Sequence, residues 1–184
     1  MQRILLLDDE PHVLSALKRV LRTSFGPDLR VEETTEPDEA LARLKEVAFD
    51  VVISDYRMPL MTGTEFLGLV RSVQPFAVRM ILSASSDFDT LMQAINEVEV
   101  FRYVIKPWVE KEFVSHVAQA LERAAQTRHE RELADVGRNQ FGAMSGGEAE
   151  ARRLEILEPG ITHVEWGPHG EVLPPKGGPG ANKG

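Results

Sequence analysis

Residues able to support phosphoryl transfer to a carboxylate occur at four places in the first two thirds of the sequence. The acidic pair Asp8 and Asp9 follows one apolar run, and Asp55 follows another. Ser83 and Lys106 lie at the ends of two further apolar runs. A divalent cation would relieve the repulsion among the carboxylates, and a lysine and a hydroxyl would contact incoming phosphoryl oxygens. This set predicts a magnesium site that contains a candidate phosphate acceptor.

The elements that must position these residues follow an alternating strand and helix pattern. Apolar runs predict strands at about 3 to 7, 29 to 34, 50 to 54, 78 to 83 and 101 to 105. Amphipathic segments predict helices at about 11 to 24, 37 to 47, 64 to 74 and 87 to 97, with a fifth from near Glu110. The alternation indicates an α/β fold, a doubly wound five-stranded parallel sheet in the order 2-1-3-4-5. In that order the carboxyl ends of the first and third strands form one crevice, which is where ligands bind.

Four short motifs carry a resemblance to a known family. They are Asp8-Asp9, Asp55-Tyr56-Arg57-Met58-Pro59 followed by Gly63, Ser83-Ala84, and Tyr103-Val104-Ile105-Lys106-Pro107. Over about residues 1 to 125 the chain resembles the receiver domain of two-component response regulators, which has the CheY-like, flavodoxin-like fold.

The resemblance implies a role for each acidic residue. Asp55 would accept phosphate from a sensor histidine kinase or a phosphotransfer protein. Asp9 and Asp55 would ligate Mg²⁺ directly, with Asp8 assisting and the backbone carbonyl of Arg57 supplying a further ligand.

The same resemblance implies a switch. Lys106 would pair with the phosphoryl group, and its peptide bond to Pro107 would be cis. Ser83 would move toward the phosphate while Tyr103 rotates inward. This movement would change a surface formed by the fourth predicted helix, the fifth strand and the fifth predicted helix, where a downstream effector protein would bind.

The sequences of three segments are similar to those of a particular group of receivers. Asp55-Tyr56-Arg57-Met58-Pro59, with Phe101-Arg102-Tyr103 and Lys106-Pro107-Trp108, resembles receivers associated with HD-GYP cyclic-di-GMP phosphodiesterase or hydrogenase-regulator outputs. Arg57 stands two residues after the candidate acceptor. We hypothesise that Arg57, with Ser85 opposite, sets the lifetime of the phosphate.

The rest of the chain differs in composition from the receiver-like part. A charged helical extension is expected at 126 to 139, and it could also support a homodimer. Ten of the 14 glycines lie from residue 140 onward, so a tail at 140 to 184 is expected to lack a core of its own. Alternation of apolar and polar residues at 161 to 173 predicts a β-hairpin.

Overall composition excludes several classes of function. The 184 residues carry a formal net charge of -8, with a pI near 5.2, so there is no basic field for nucleic acid, and direct DNA binding is not expected. The chain has no cysteine, which excludes disulfides and thiol catalysis. Neither a signal peptide nor a membrane span is predicted, so a cytoplasmic protein is expected.

Three rival functions start from the same sheet. A magnesium-dependent aspartyl phosphohydrolase would carry a second acid two residues after its nucleophile, where this chain has Arg57. A flavodoxin-like nucleotide or flavin binder would need a glycine- or serine-rich loop where Asp8 and Asp9 stand. A pseudo-receiver, or adaptor, would act without phosphorylation. We expect a receiver that is not an enzyme, apart from promoting its own phosphorylation and dephosphorylation.

Overall fold

The computed structural model describes residues 1–84, 98–142, 154, 165–166 and 172–173. The strands are β1 (Gln2–Leu7), β2 (Leu29–Thr34), β3 (Val51–Asp55), β4 (Val78–Ala84), β5 (Arg102–Lys106), β6 (Glu165–Trp166) and β7 (Val172–Leu173). The α-helices are α1 (Pro11–Phe25), α2 (Pro37–Glu46), α3 (Gly63–Val73) and α4 (Glu110–Gly142), with a 3-10 turn at Gly26–Asp28. The helix predicted at 87 to 97 lies outside the described residues.

Strands β1 to β5 form one parallel sheet in the order β2-β1-β3-β4-β5, which confirms the predicted doubly wound topology. The central strands are apolar because helices cover both faces, and residues 4 to 7 of β1 are all buried. Edge strand β2 instead alternates buried and more exposed residues over 29 to 32, as its sequence predicts, and the alternation breaks at Glu33 and Thr34.

Two hydrophobic layers lie on opposite faces of the sheet. One contains the apolar stripes of α1 and α4, with Leu17 and Phe113 at full burial. The other contains the apolar faces of α2 and α3, with Phe66 and Leu67 at full burial. Successive residues of β1 alternate between the two layers, because side chains of a strand point to opposite faces. This packing holds the carboxyl ends of the strands at one rigid edge.

Strand ends and helix starts differ from the prediction by about one residue. Asp55 and Lys106 are the last residues of β3 and β5, so each is held by the sheet itself. Helix α3 begins at Gly63 because Thr62 caps it, accepting a hydrogen bond from the backbone of Glu65.

The chain divides into two compact units, Met1–Arg131 and Glu132–Gly184. In the first unit, α4 runs beyond its last core residue, Ala124. In the second unit, β6 and β7 pair antiparallel within the segment predicted as a hairpin. The predicted boundaries at 125 and 139 remain predictions. No helix in the described part of the chain is long and apolar enough to cross a membrane.

Candidate functional site

Asp55 lies at the carboxyl end of β3, and its carboxylate is held from two sides. The residue is 4% exposed. The backbone N–H of Arg57 donates to Asp55 Oδ2 over 2.6 Å. Asp55 Oδ1 forms an ion pair with the ammonium of Lys106. One carboxylate oxygen therefore faces fixed backbone, and the other faces a side chain.

Asp8 follows β1 and is fully buried. Its Oδ1 accepts a hydrogen bond of 3.0 Å from the backbone N–H of Glu10, which orients the carboxylate. Its Oδ2 lies 2.7 Å from Lys106 Nζ. Asp9, by contrast, is exposed at the same edge.

Lys106 joins the two buried carboxylates. Its side chain is 17% exposed, and its ammonium contacts Asp8 and Asp55 and lies 3.9 Å from Glu10 Oε1. The strand register explains why Lys106 contacts Asp55 across β4. Asp55 pairs with Leu82 on one side of β4, and Lys106 pairs with Ala84, two residues further along, on the other side. The Lys106–Pro107 peptide bond is cis, as predicted.

Burial shapes the electrostatics of this cluster. Burial raises the pKa of Asp8, and the hydrogen bond from Lys106 opposes that rise without cancelling it. Burial also raises the pKa of Asp55, with Lys106 again opposing and the negative charge of Asp8 adding to the rise. Burial acts to lower the pKa of Lys106, but its hydrogen bonds to Asp55 and Asp8 outweigh burial and raise it. One ammonium thus faces two buried carboxylates, which favours the approach of a further cation.

Ser83 and Tyr103 lie on neighbouring strands at this end of the sheet. Ser83 is buried in β4, one residue beyond the partner of Asp55, and its hydroxyl donates to the Ala84 carbonyl over 3.2 Å. Tyr103 in β5 is half-buried and packs against the layer formed by α2 and α3. The fold therefore brings a hydroxyl and an aromatic ring to the strands that flank the acidic cluster.

Gly63 allows α3 to begin directly against the backbone of Asp55. Its N–H donates to the Tyr56 carbonyl over 2.8 Å. A Cβ atom at position 63 would lie 2.1 Å from the Asp55 carbonyl oxygen, a distance that no side chain can occupy. Thr62 and Glu65 form a reciprocal capping box at the same helix start. Together these contacts hold the loop after Asp55 in one conformation.

The donor atoms of the site suit a magnesium ion. Asp8, Asp9, Asp55 and the Arg57 carbonyl all offer oxygen, and Mg²⁺ prefers one or two carboxylates with water and phosphate completing its shell. Among the described residues, no three His, Cys, Asp or Glu side chains group closely enough to hold an ion alone. The residues therefore fit magnesium as a partial ligand set, not as a closed protein cage.

The structure brings together Asp8, Asp55 and Lys106, with Ser83 on the adjacent strand, whereas Asp9, predicted on the same rim, is exposed. The roles predicted for these residues stay predictions. Two features were not predicted: the contacts of Glu10 with Asp8 and Lys106, and the capping box of Thr62 and Glu65. The capping box has a readable signature, a threonine followed three residues later by glutamate before an apolar run. The contact of Gly63 has no comparable signal, because it depends on how two backbone segments meet.

Comparison with known proteins identifies the family. Residues 4–118 match the response regulator receiver domain. The hydrogenase transcriptional regulatory protein HoxA of Cupriavidus necator is 37% identical over 119 residues, 65% of this chain and 24% of that protein. The cyclic di-GMP phosphodiesterase response regulator RpfG of Xanthomonas campestris pv. campestris is 26% identical over 164 residues, 89% of this chain and 43% of that protein. The chain thus spans about a quarter of the hydrogenase regulator's length.

A solved structure supports the same assignment. The signal receiver domain of an HD domain-containing protein from Pseudomonas fluorescens Pf-5 is 30% identical with a TM-score of 0.64, covering 70% of this chain and 92% of that one. The predicted similarity to receivers of hydrogenase regulators and cyclic-di-GMP phosphodiesterases is confirmed by these matches. With the buried carboxylates of Asp8 and Asp55 paired to Lys106 on a 2-1-3-4-5 sheet, the chain belongs to the receiver domain family of two-component response regulators.

Proposed function

We propose that Asp55 is the phosphoacceptor, and that it takes a phosphoryl group from a phosphohistidine of a sensor kinase or phosphotransfer protein. One observation carries the proposal: the Lys106 ammonium lies against both buried carboxylates, Asp8 and Asp55, at the carboxyl end of the central strands. A cation held there can contact the oxygens of a phosphoryl group that arrives at Asp55.

The transfer needs no other covalent group from this chain. A carboxylate oxygen of Asp55 attacks phosphorus, the phosphorus–nitrogen bond of the donor breaks, and the imidazole leaves. The N–H of Arg57 holds Asp55 Oδ2 and thereby fixes the orientation of the carboxylate. Lys106 donates to a phosphoryl oxygen as charge develops on it.

Asp9 and Asp55 would hold Mg²⁺, with Asp8 assisting and the Arg57 carbonyl as a further ligand. When bound, the ion neutralises the carboxylates and the phosphoryl oxygens, which otherwise repel one another. The surplus of carboxylate over ammonium in the buried cluster supports this assignment.

Ser83 and Tyr103 would report the phosphorylation to a protein partner. The proposed output surface combines β5 and α4 with the helix predicted at 87 to 97, which lies outside the described residues. We propose that the partner is a downstream effector protein, and a homodimer is a further proposal. We also propose that the chain itself is not an enzyme.

The direct test is incubation with acetyl phosphate and Mg²⁺, read by intact mass. The wild-type protein should gain one phosphoryl group, whereas Asp55→Asn should gain none. Asp38→Asn, an exposed carboxylate at the start of α2, is the matched control and should gain phosphate like the wild type. Equal gain in Asp55→Asn would overturn the assignment, and no gain in the wild type would favour a phosphorylation-independent adaptor.

A further inference from the structure

Arg79 is the one charged residue of β4, and it is buried. It is the second residue of β4 and is 5% exposed, with only apolar residues from Met80 to Leu82 after it. Burial lowers the pKa of its guanidinium, although that group remains charged at neutral pH because its ordinary value is so high. A buried guanidinium is costly unless its donors are satisfied, so its contacts indicate what it does.

The guanidinium of Arg79 is satisfied mainly by backbone carbonyls. Its Nε donates to the Val98 carbonyl over 2.8 Å. One terminal nitrogen donates to the carbonyls of Ala77 at 2.8 Å and Pro75 at 3.3 Å. Arg79 therefore joins the loop before β4 to the segment before β5.

The backbone of Arg79 contacts the same segment. Its carbonyl accepts a hydrogen bond of 2.8 Å from Phe101 N–H. The ladder between β4 and β5 starts at the next residue, with Met80 opposite Arg102, and ends with Ala84 opposite Lys106. Side chain and backbone of one residue thus hold the segment from Val98 to Phe101 at the start of this ladder.

Glu99, within the segment from Val98 to Phe101, has a backbone conformation that its surroundings must stabilise. Its φ of 53° is positive, a conformation that costs a non-glycine residue free energy and persists only where its surroundings impose it. Its carboxylate lies 2.8 Å from Arg71 and 3.5 Å from Arg79. Of these two arginines, Arg79 is buried and also contacts the neighbouring carbonyl of Val98.

We propose that Arg79 is a positioning residue: it fixes β5 in the register that brings Lys106 to Asp8 and Asp55. A shift by one residue along β4 would turn the Lys106 side chain to the other face of the sheet. The phosphoacceptor cluster at one end of the sheet would then depend on carbonyl contacts at the other end. This inference rests on the proposed function, because it assigns Arg79 to the placement of Lys106 for phosphoryl transfer.

The test compares Arg79→Met with Arg71→Met. Both variants lose a contact with Glu99, but only Arg79→Met loses the carbonyls of Val98, Ala77 and Pro75. We expect Arg79→Met to slow phosphate uptake from acetyl phosphate between tenfold and about a hundredfold, the loss expected when a reacting contact is displaced by ~1 Å. Arg71→Met should keep the wild-type rate.

A double-mutant cycle separates positioning from general destabilisation. In a Lys106→Met background, Arg79→Met should have no further effect on the rate, because the residue it acts through is gone. Additive losses would overturn the inference. If Arg79→Met does not fold, as judged by circular dichroism, Arg79→Lys replaces it in the cycle, with the same expected non-additivity and a smaller loss.

Phosphate gain by the wild-type protein tests the proposed function, and the rate of gain in Arg79→Met tests the positioning role separately. A wild-type protein that gains no phosphate on Asp55 contradicts the proposed function. A wild-type protein that gains phosphate, while Arg79→Met gains it at the same rate, contradicts the positioning role alone. Faster amide hydrogen exchange in β5 of Arg79→Met, with exchange in β1 unchanged, is the structural result we expect.

Discussion

The two ends of the sheet both bury charge, but they satisfy it differently. At the amino-terminal end, Arg79 donates mainly to backbone carbonyls, and Asp50 accepts from the backbone N–H of Arg3 as well as from Arg128. At the carboxyl-terminal end, the half-buried cation Lys106 is satisfied by two side chains, Asp8 and Asp55, each of which also accepts one backbone N–H. Backbone partners cannot leave, whereas a lysine side chain can turn toward a ligand. The buried cation at the amino-terminal end is therefore held in place by backbone, whereas the cation at the carboxyl-terminal end is able to exchange its partners.

Removing Lys106 should have the largest effect on the carboxyl-terminal end of the sheet. Lys106→Met leaves two buried carboxylates without their shared cation, so we expect the free energy of unfolding to fall by about 3 kcal/mol without magnesium. Phosphate uptake should slow sharply, because the phosphoryl oxygens lose a donor. Urea unfolding and the intact-mass assay measure the two effects. A variant that is as stable and as fast as the wild type would show that the ion pairs at this end are incidental.

The start of α3 offers a matched pair of glycine substitutions. Gly63→Ala places a Cβ against the Asp55 carbonyl oxygen, so the loop must shift, at a cost of about 1–3 kcal/mol. Gly68→Ala lies in the same helix, and its Cβ would meet Val98 at an ordinary 3.6 Å. That control should stabilise the protein by roughly 0.5–1 kcal/mol, because alanine favours a helix interior. Thermal unfolding checks both, and equal effects would contradict the close approach at Gly63.

Substitution of Arg57 tests whether the carboxyl-terminal end of the sheet also controls the lifetime of the phosphate. Its backbone contacts Asp55, but its side chain is exposed, so Arg57→Asn should leave the fold unchanged. We expect a severalfold change in the rate of dephosphorylation, because under the hypothesis this side chain would influence how water reaches an acyl phosphate on Asp55. Decay of the phosphorylated mass after removal of acetyl phosphate measures that rate. An unchanged rate would remove the hypothesis, including the part assigned to Ser85, which lies outside the described residues.

The smallest effect is expected for the exposed ion pair of Arg128 at the amino-terminal end of the sheet. Arg128 pairs with Asp50, and its side chain is 43% exposed, so Arg128→Met should lower the free energy of unfolding by only about 0.5 kcal/mol. Phosphate uptake should not change, because Asp50 keeps its hydrogen bond from Arg3 N–H. A large loss of phosphorylation in this variant would mean that the Arg128–Asp50 pair, and not only the carbonyl contacts of Arg79, acts on the phosphoacceptor site.

The sequence predicted the carboxyl-terminal end better than the amino-terminal end, for a physical reason. Asp8, Asp55 and Lys106 are side chains at the ends of apolar runs, and parallel strands necessarily bring those ends together. The partners of Arg79 are backbone carbonyls, which have no signature in a sequence. A single charge inside a largely apolar strand was the available signal, and it indicates burial without identifying the partners.

Backbone geometry explains the remaining differences. Lys106 belongs to β5 and does not merely follow it, because the ladder with β4 continues to Ala84. The role of Gly63 could not be predicted, since the distance from its Cβ position to Asp55 depends on the path of a loop. Propensity and periodicity describe segments one at a time, whereas these contacts arise between segments.

The ammonium of Lys106 is a counter-ion that is covalently part of the chain. Its supply to the buried acids does not depend on the concentration of any ion in the surroundings. At the proposed magnesium site, this tethered cation would compensate the two acids when no metal is bound, so the domain would stay folded without metal. Under the proposed function, metal availability would govern when the protein accepts phosphate, and the tethered lysine would govern whether the domain stays folded until then.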